Sequence, residues 1–322
     1  MPVTYQWDLV LERELARNWM LQVAYVGSAA RHEKETIELD PARYIPGSKL
    51  GTDARRLFAP YYGSISMDGQ DVNANFNALE VTLKKRLARH LSLTAAYTYS
   101  KALDDVPNGG GNNDIGADSP SALPWYFPGR HQFDYGPSGF DQTHRLVVSY
   151  VWMLPQFSNR NRFTHDVLGN WQWTGIVTAQ TGGPFTITAG KDQSQTGLNQ
   201  DRGVELPGVP AFASNKFGAC VNRAPCVDYL NPAAFTEPAI GTFGTLGKDS
   251  FRGPAFFGWD MGLFKEVPLT ERFRLQFRAE FFNVFNTVNF NNPTASVSGS
   301  GFGTINGAGG PRIGQLAVKL IF

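Results

Sequence analysis

The sequence predicts an all-β fold, an antiparallel transmembrane β-barrel of the outer-membrane type. Three observations predict it. Apolar and polar side chains alternate at every second position in about nine segments, the connections between segments alternate in length, and charges on the apolar side lie at segment ends. Alternation with a period of two indicates a strand with two different faces. In a barrel that spans a bilayer, one face meets lipid and the other faces the lumen.

The alternation is clearest in the fourth segment, where Leu91, Leu93 and Ala95 alternate with Ser92 and Thr94. A tilted membrane strand requires about 9–11 residues, and most of the segments come close to that length. The same pattern is found over residues 4–12, 19–26, 78–87, 91–100, 145–152, 171–180, 257–263, 272–281 and 315–322.

The connections between the segments sort by length along the chain. Outer-membrane barrels have short periplasmic turns and long extracellular loops. If the last segment runs towards the periplasm, every long connection lies outside the cell, and we therefore expect four long extracellular loops. The short links cover 14–18, 88–90 and 268–271, with a somewhat longer one at 155–169, and the long connections cover 29–71, 105–140, 182–256 and 287–310.

Charged side chains on the apolar side of the segments are few. A Lys or Arg at the bilayer midplane of a barrel costs about 2–4 kcal/mol, and this cost falls to about 0–1 kcal/mol near the interfaces. The exceptions Lys85, Lys101, His144 and Lys265 all lie at segment ends. A lysine at such a place can extend its ammonium to the headgroups. The distribution is thus typical of a lipid-facing surface.

The opposite side of the segments carries charges in mid-strand, which a wet lumen would accept. We expect the carboxylates of this set, together with Glu80, to pair with its arginines across the lumen rather than to act as acid–base catalysts. The predicted lumen charges are Arg145, Asp260, Arg274, Arg278 and Glu280.

Composition excludes several other classes of protein. The formal net charge is +1, which gives no reason to expect nucleic acid as a partner. No apolar run approaches the ~18 residues of a transmembrane helix. Without a His-x-x-x-His pair or a Gly-x-Ser-x-Gly elbow, we expect no enzyme, metal or cofactor. One loop has oxygen ligands suited to calcium but lacks EF-hand spacing, so we predict a solvated loop there: Asp104, Asp105, Asn112, Asn113, Asp114 and Asp118.

The two cysteines, Cys220 and Cys226, lie in one Gly/Pro/Asn-rich stretch. Their spacing matches neither a four-ligand metal site nor a redox Cys-x-x-Cys. In an exported loop a local disulfide is favoured. The alternative is that both are free, small apolar residues.

The sequence predicts about nine strands, which is an odd number, whereas a closed single-chain barrel has an even number of strands. The first segment starts almost at Met1, and neither a signal peptide nor a plug domain precedes it. We therefore expect residues 1–322 to be a partial barrel domain that lacks several N-terminal strands, with open edges at its first and last strands. A missed strand near Phe185 to Ala189 is the alternative that restores even parity.

The C-terminal run Leu316, Val318, Leu320 and Phe322 alternates and ends in an aromatic carboxy-terminus. It resembles the signal that the outer-membrane barrel-assembly machinery captures by edge addition. The alternative is the ordinary last strand of a soluble sheet.

Tryptophans near segment ends predict interfacial girdles, and the alternative is the aromatic core of a sandwich. They are Trp7, Trp19, Trp152, Trp171, Trp173 and Trp259.

Several local motifs resemble the C-terminal barrel of Oar-like TonB-dependent receptors, a family that often carries a carboxypeptidase-regulatory-like N-terminal domain. The most specific motif is Arg278-Ala279-Glu280-Phe281-Phe282-Asn283-Val284-Phe285-Asn286, followed by Asn289-Phe290 and the terminal Phe322. Others are residues 97–105, 144–150, 231–235, 243–247 and 256–260. The resemblance implies a 22-stranded barrel plugged by an N-terminal domain, with import energised by the TonB complex. Contact with that complex is expected only through N-terminal parts that this sequence lacks.

The leading hypothesis is therefore a partial barrel of a TonB-dependent receptor in the bacterial outer membrane, surrounded by its lipid. Its ligand, a sugar, peptide or chelate, would be met by the long loops. The predicted contacts are Trp125, Tyr126, Phe127, Arg130 and the Cys220 to Cys226 loop. A passive pore or structural barrel is a second hypothesis, and a soluble β-sandwich binding module is a third.

Overall fold

The computed structural model describes residues 1–88, 90–107, 116–117, 121–155, 167–213, 218–219, 225–270 and 272–322. Within these residues, nine long strands form one sheet in chain order, and each strand runs antiparallel to its neighbours. They are β1 (Val3–Ala16), β2 (Trp19–Glu38), β3 (Ser66–Ala88), β4 (Leu91–Asp104), β5 (His144–Met153), β6 (Trp171–Gln180), β7 (Phe256–Pro268), β8 (Arg274–Phe282) and β9 (Ile313–Ile321).

The remaining regular elements are short. Among the elements that lie wholly within the described residues, an α-helix covers Arg130–Asp134, and 3-10 turns cover Asp53–Arg55 and Pro232–Ala234. None of the helices in the described part of the chain is long and apolar enough to cross a membrane. The short strands are Gly116–Ala117 and Gly136–Pro137, which extend the main sheet, and Pro184–Phe185, Val204–Glu205, Gly218–Ala219, Pro225–Asp228, Phe235–Thr236, Phe251–Arg252 and Thr304–Ile305, which pair among themselves.

The register of the sheet aligns like with like across the strands. We call the two sides the apolar face and the polar face. A representative row on the apolar face runs Leu91, Trp152, Trp173, Leu263, Ala279 and Leu316. The adjacent row on the polar face runs Ser92, Val151, Thr174, Gly262, Glu280 and Gln315.

This alignment follows from the period of two, because a slip of one residue in any pair of strands would exchange the two faces. Tight turns fix the register at one end of the sheet. Asn18 and His90 lie in the links after β1 and β3 with φ of 70° and 69°. A positive φ in a two-residue hairpin matches the natural twist of the strands.

β2 and β3 are much longer than a membrane crossing requires, with 20 and 23 residues. They stay paired as far as Glu38 and Ser66. The first and last residues of the expected loop 29–71 therefore belong to β2 and β3. Sequence alternation missed these parts because the extensions no longer separate lipid from lumen, and Glu35, Glu38 and Val72 are buried there.

The four long connections meet at one end of the sheet. We call the described residues of 29–71, 105–140, 182–255 and 287–310 the cap. A small apolar core lies inside it, formed by Phe185, Ile187, Leu230, Ala234, Phe235, Leu246 and Phe302. The extra membrane strand considered near Phe185 to Ala189 does not form: only Pro184–Phe185 is a strand, and it pairs with Phe251–Arg252 inside the cap.

Candidate functional site: two sheet faces and the cap

The apolar face carries an aromatic cluster in the middle of the sheet. The ring centroids of Tyr150 and Trp173 are 5.5 Å apart, and those of Trp173 and Trp259 are 6.3 Å apart. The indole nitrogen of Trp259 donates to the hydroxyl of Tyr150 over 3.2 Å. Gly175 lies beneath the Tyr150 ring, and a Cβ at that position would collide with the ring. The glycine therefore lets the ring lie flat against the sheet.

Two of the four charges on the apolar face are held at the turn end of the sheet. Lys85 Nζ donates to the carbonyls of Ala88 and Leu91, each over 2.8 Å, and lies 5.9 Å from the centroid of the Trp19 ring. Lys265 Nζ donates to Gly169 O over 2.7 Å and lies 5.1 Å from the centroid of Trp171. Each lysine is the register partner of its tryptophan.

The interactions of these two lysines differ from those predicted from the sequence. We expected them to reach for headgroups, whereas both fold back onto carbonyls of the turns. Turn carbonyls lack partners in the strand ladder, so an ammonium satisfies them and at the same time lies beside the electron-rich indole face.

A third member of this set, His144, lies at the opposite end of the apolar face. Its Nδ1 is 2.8 Å from the hydroxyl of Tyr97, and its ring is 5.1 Å from that of Tyr99. Aromatic side chains thus accompany the polar groups at both ends of this face. That arrangement is the one expected of a surface that passes from one interface of a bilayer to the other.

The polar face holds an open cavity of about 410 Å³. Ser92, Thr94, Ser149, Thr174, Asp260 and Glu280 line it together with apolar neighbours. The hydroxyls and carboxylates of this cavity lie on the polar face, directly behind the aromatic cluster of the apolar face. The two faces are therefore suited to different surroundings.

The predicted pairing of charges across the lumen is not found among these residues. Asp260 accepts from the backbone nitrogen of Asn283 over 2.8 Å, and Glu280 accepts from Gln315 over 2.6 Å. Arg274 pairs with Glu266 at 3.7 Å, while Arg278 donates to Gln276 over 2.6 Å. The predicted lumen arginine Arg145 is exposed. Adjacent strands are only about 5 Å apart, so a neighbouring partner is reached before one across the lumen.

The cap is held by buried ion pairs, which sequence reasoning missed. Arg202 donates to Asp134 Oδ1 with both side chains at most 2 % exposed. Lys248 pairs with Asp104 and also donates to Val106 O over 3.1 Å. Burial raises the pKa of Asp134, and the charge of Arg202 counteracts the shift. These partners lie 68 and 144 residues apart, so no local spacing in the sequence could indicate them.

Arg130 belongs to this buried set. We predicted that it contacts a ligand, but it is 8 % exposed and its guanidinium lies against Glu35 and Asp71 at 2.8 and 3.0 Å. Burial raises the pKa of Glu35 to about 7, although Arg130 counteracts the shift. The geometry therefore assigns Arg130 to holding the helix Arg130–Asp134 against the outer ends of β2 and β3, rather than to a free binding surface.

The aromatic residues that precede Arg130 are placed differently. Trp125 and Tyr126 are each 51 % exposed, and Phe127 is 41 % exposed. Their rings touch in series, and Phe127 continues to Phe243 with centroids 5.2 Å apart. Trp125 Nε1 donates to Leu39 O over 3.0 Å, which fixes its ring. The predicted contacts Trp125, Tyr126 and Phe127 thus form an exposed aromatic surface on the cap.

The remaining predicted sites are the cysteine pair and the loop of Asp and Asn residues. Cys220 lies outside the described residues, as does the side chain of Cys226, and Asn112, Asn113, Asp114 and Asp118 lie outside them too. Asp104 and Asp105 are engaged with Lys248 and His131. In the described ranges, no group of three or more His, Cys, Asp or Glu side chains could hold a metal.

The C-terminal strand presents its predicted assembly residues outward. Leu316 is 83 % exposed and Val318 61 %, with Leu320 at 49 % and Phe322 at 83 %. β9 pairs only with β8 in the described sheet, and β1 pairs only with β2, so both strands are sheet edges.

The matched family agrees with this geometry. The family model described as outer membrane beta barrel domain matches residues 1–315, and the chain belongs to that family. The chain is a bacterial outer-membrane protein, and the all-β, antiparallel fold predicted from the sequence is confirmed. Among curated proteins no relative matches.

A solved structure of an outer-membrane transporter shares the fold, and two receptors align less well. The outer membrane transporter YddB from Escherichia coli aligns with a TM-score of 0.50 at 12 % identity, over 99 % of this chain and 32 % of its own. The ferric-catecholate import receptor Fiu from E. coli aligns at 0.46 and 9 %, over 99 % and 27 %. The pyoverdine outer membrane receptor FpvA from Pseudomonas aeruginosa aligns at 0.47 and 10 %, over 100 % and 30 %. The chain thus spans 27–32 % of the length of these proteins.

Proposed function

We propose that this chain is the C-terminal barrel segment of an Oar-like TonB-dependent receptor that takes up a ligand through the outer membrane. The motif at residues 278–286 supports the subfamily, and the fold shared with an outer-membrane transporter supports transport rather than enzymatic catalysis. The observation that carries the proposal is the pairing of a sheet that is apolar on one face with a densely packed cap at one end.

The orientation follows from the lengths of the connections. The cap would face the outside of the cell, where the ligand arrives, and the turns beside Lys85 and Lys265 would face the periplasm. Lipid would cover the apolar face, and the barrel-assembly machinery would capture β9 with its terminal Phe322. Residues 1–322 are proposed to be one part of a larger barrel, because β1 and β9 both present unpaired edges that hydrocarbon does not tolerate.

The aromatic surface formed by Trp125, Tyr126 and Phe127 is the proposed ligand contact. Exposed rings that are fixed by contacts with each other lose little entropy when a ligand stacks on them. Such a surface suits sugar rings, peptide side chains or aromatic chelates.

The test uses the native host growing in a defined mixture of oligosaccharides, short peptides and iron(III) catecholate and hydroxamate chelates. Depletion of each compound is followed in the parent strain, in a strain lacking the gene and in the parent treated with a protonophore. Loss of one class of compound that requires both the gene and the proton-motive force supports the proposal. Gene-dependent uptake that survives the protonophore would instead indicate a passive pore, and recovery of the protein in the soluble fraction would indicate a sandwich module.

The cap variant Trp125→Ala with Tyr126→Ala sharpens the result. We expect it to weaken uptake about tenfold or more, since stacked aromatic contacts each contribute about 0.5–1.5 kcal/mol. The matched control is Tyr61→Ala with Tyr62→Ala, which removes two exposed rings elsewhere in the cap, 86 % and 63 % exposed. Equal uptake by the two double variants would show that the aromatic surface does not contact the ligand.

A further inference from the structure

One cap loop brings oxygen atoms together in a pattern that the proposed function does not use. The loop reads Asp192-Gln193-Ser194-Gln195-Thr196-Gly197 and continues to Asp201. Side-chain oxygens therefore stand at the first, third and fifth positions, and a glycine stands at the sixth. Calcium loops use this spacing because it turns alternate side chains towards one centre. Two positions carry hydroxyls instead of carboxylates, and the bidentate Glu of the twelfth position is replaced by Gly203.

The folded loop brings these oxygens together around Ser194. The hydroxyl of Ser194 lies 2.9 Å from that of Thr196 and 3.3 Å from Asp192 Oδ1. The backbone nitrogen of Ser194 donates to Asp201 Oδ2 over 2.7 Å, so the Asp201 carboxylate reaches the same point from the other end of the loop. Ser194, Thr196 and Asp201 are 1 %, 4 % and 1 % exposed.

Asp201 gives a second, independent observation. Its Oδ1 is buried and has no hydrogen-bond partner in the described part of the chain. Leaving a buried acceptor unpaired costs about 1–3 kcal/mol, and more if the group is charged. Ser194 links the two carboxylates, because its hydroxyl lies 3.3 Å from Asp192 Oδ1 and its backbone nitrogen donates to Asp201 Oδ2.

Four cationic side chains near the loop donate to groups other than its carboxylates. Arg202 donates to Asp134 and to Phe133 O, and Lys191 pairs with Glu237 at 2.7 Å. Arg55 donates to the backbone carbonyl of Gln195 over 2.6 Å rather than to a carboxylate. Arg56 lies close to Gly197 and pairs with Glu38 and Asp53. None of these four side chains donates to Asp192 or Asp201.

We propose that residues 192–201 form a binding site for a divalent cation of the calcium type, with oxygen ligands from Asp192, Ser194, Thr196 and Asp201. Only hard oxygen donors are present, which excludes the softer transition metals as the preferred ion. Calcium accepts hydroxyl and carbonyl oxygens in irregular arrangements, whereas magnesium requires a near-ideal octahedron and retains its waters. This inference stands on the loop itself and is independent of the transport proposal.

A bound cation would tie three parts of the cap to one another. The carbonyl of Thr196 accepts from Ala42 N over 2.8 Å, and the carbonyl of Gln193 accepts from Gly241 N over 2.7 Å. The loop thus lies between the connection 29–71 and the second half of 182–255. Two carboxylates balance one divalent ion, and so few charged ligands indicate a weak site, with a Kd of about 10⁻⁴–10⁻³ M as in extracellular modules.

The experiment titrates calcium chloride, and separately magnesium chloride, into the detergent-purified full chain, because lipopolysaccharide would itself bind cations. Calorimetry is expected to show one calcium per chain in the stated range and binding of magnesium at least tenfold weaker. Trypsin digestion of the cap is expected to accelerate several-fold when EGTA removes calcium. Absence of calcium binding by the wild-type chain would overturn the proposal, as would equal binding of magnesium.

Variants locate the site. We expect Asp201→Asn to weaken calcium binding roughly tenfold or more, because the number of charged ligands sets the affinity of such loops. Thr196→Val keeps the shape of the side chain and removes only a hydroxyl, so it serves if Asp201→Asn fails to fold. The matched control is Glu205→Gln, an exposed carboxylate four residues further along. Calcium binding reduced equally in the control, or unchanged in both site variants, contradicts the assignment.

Discussion

In the cap, Arg202 and Lys248 are each 1 % exposed, whereas in the sheet Leu316 and Phe277 leave 83 % and 43 % of their surfaces open. The cap buries charges in pairs around a small apolar core, and the sheet displays large apolar side chains on one face. A soluble protein distributes its residues as the cap does. The sheet does the opposite on its apolar face, since the medium there is hydrocarbon. One chain is thus folded for two different solvents, with the boundary where β2 and β3 enter the cap.

The largest effect is expected from breaking a buried pair in the cap. Lys248→Met leaves Asp104 buried without its partner, which costs about 3–5 kcal/mol of the free energy of cap unfolding. The control is Lys191→Met, which breaks a pair whose lysine side chain is 59 % exposed and should cost about 0–1 kcal/mol. Urea-dependent proteolysis of the cap measures both. If the two variants lose equal stability, the buried pairs do not hold the cap.

The next effect compares the two faces of the sheet through neighbouring valines. Val148 lies on the apolar face and Val147 on the polar face of β5. Val148→Arg should cost about 2–4 kcal/mol in the membrane-inserted state, because the guanidinium is forced towards lipid. Val147→Arg should cost much less, and heat-modifiable gel migration after folding into lipid compares the two. A larger defect in Val147→Arg would mean that the faces are assigned the wrong way round.

A smaller effect is expected at Gly175. Gly175→Ala places a methyl group against the Tyr150 ring, and overpacking of this kind costs about 1–3 kcal/mol. Gly183→Ala, where a Cβ would meet nothing within 4 Å, is the control. Tryptophan fluorescence during unfolding in detergent reports both, since Trp173 and Trp259 adjoin the ring. An unshifted transition in Gly175→Ala would show that the cluster is loosely packed.

The smallest effect concerns pH in the cap. Burial raises the pKa of Glu35 from 4.5 to about 7, so the folded cap holds this proton more tightly than the unfolded chain does. The resulting stability is fully present below about pH 4.5 and is lost as the pH rises through about 7. We expect a loss of about 1.4 kcal/mol per pH unit within this window, and Glu35→Gln should flatten it. The rate of amide exchange at the helix Arg130–Asp134 measures the change, and a rise in protection with pH would contradict the sign.

The same contrast explains what could be predicted from the sequence. Period-two alternation located all nine long strands of the described sheet. Lipid on one side and a polar space on the other require successive residues to be apolar and polar in turn. The outer ends of β2 and β3 lost that pattern once they entered the cap. The apolar core around Ile187 and Leu230 has no period at all, since it is gathered from irregular loops.

The candidate site was predicted less well for a related reason. Arg130 follows three aromatic residues and so reads as part of a ligand surface, but its partner Glu35 is 95 residues away. The loop at 192–201 was not considered from the sequence, because its serine and threonine hide the acidic spacing of a calcium loop. Long-range partners decide both cases, and only the fold brings them together.

The most direct measurement compares two tryptophans, one in each region. Full-length chains that keep only Trp173 or only Trp125, with phenylalanine at the other tryptophan positions, are reconstituted and exposed to brominated lipid or to aqueous acrylamide. Trp173 should be quenched by the lipid and shielded from acrylamide, and Trp125 should show the reverse. If acrylamide quenches both and brominated lipid quenches neither, the sheet does not face a membrane and the two-solvent account is wrong.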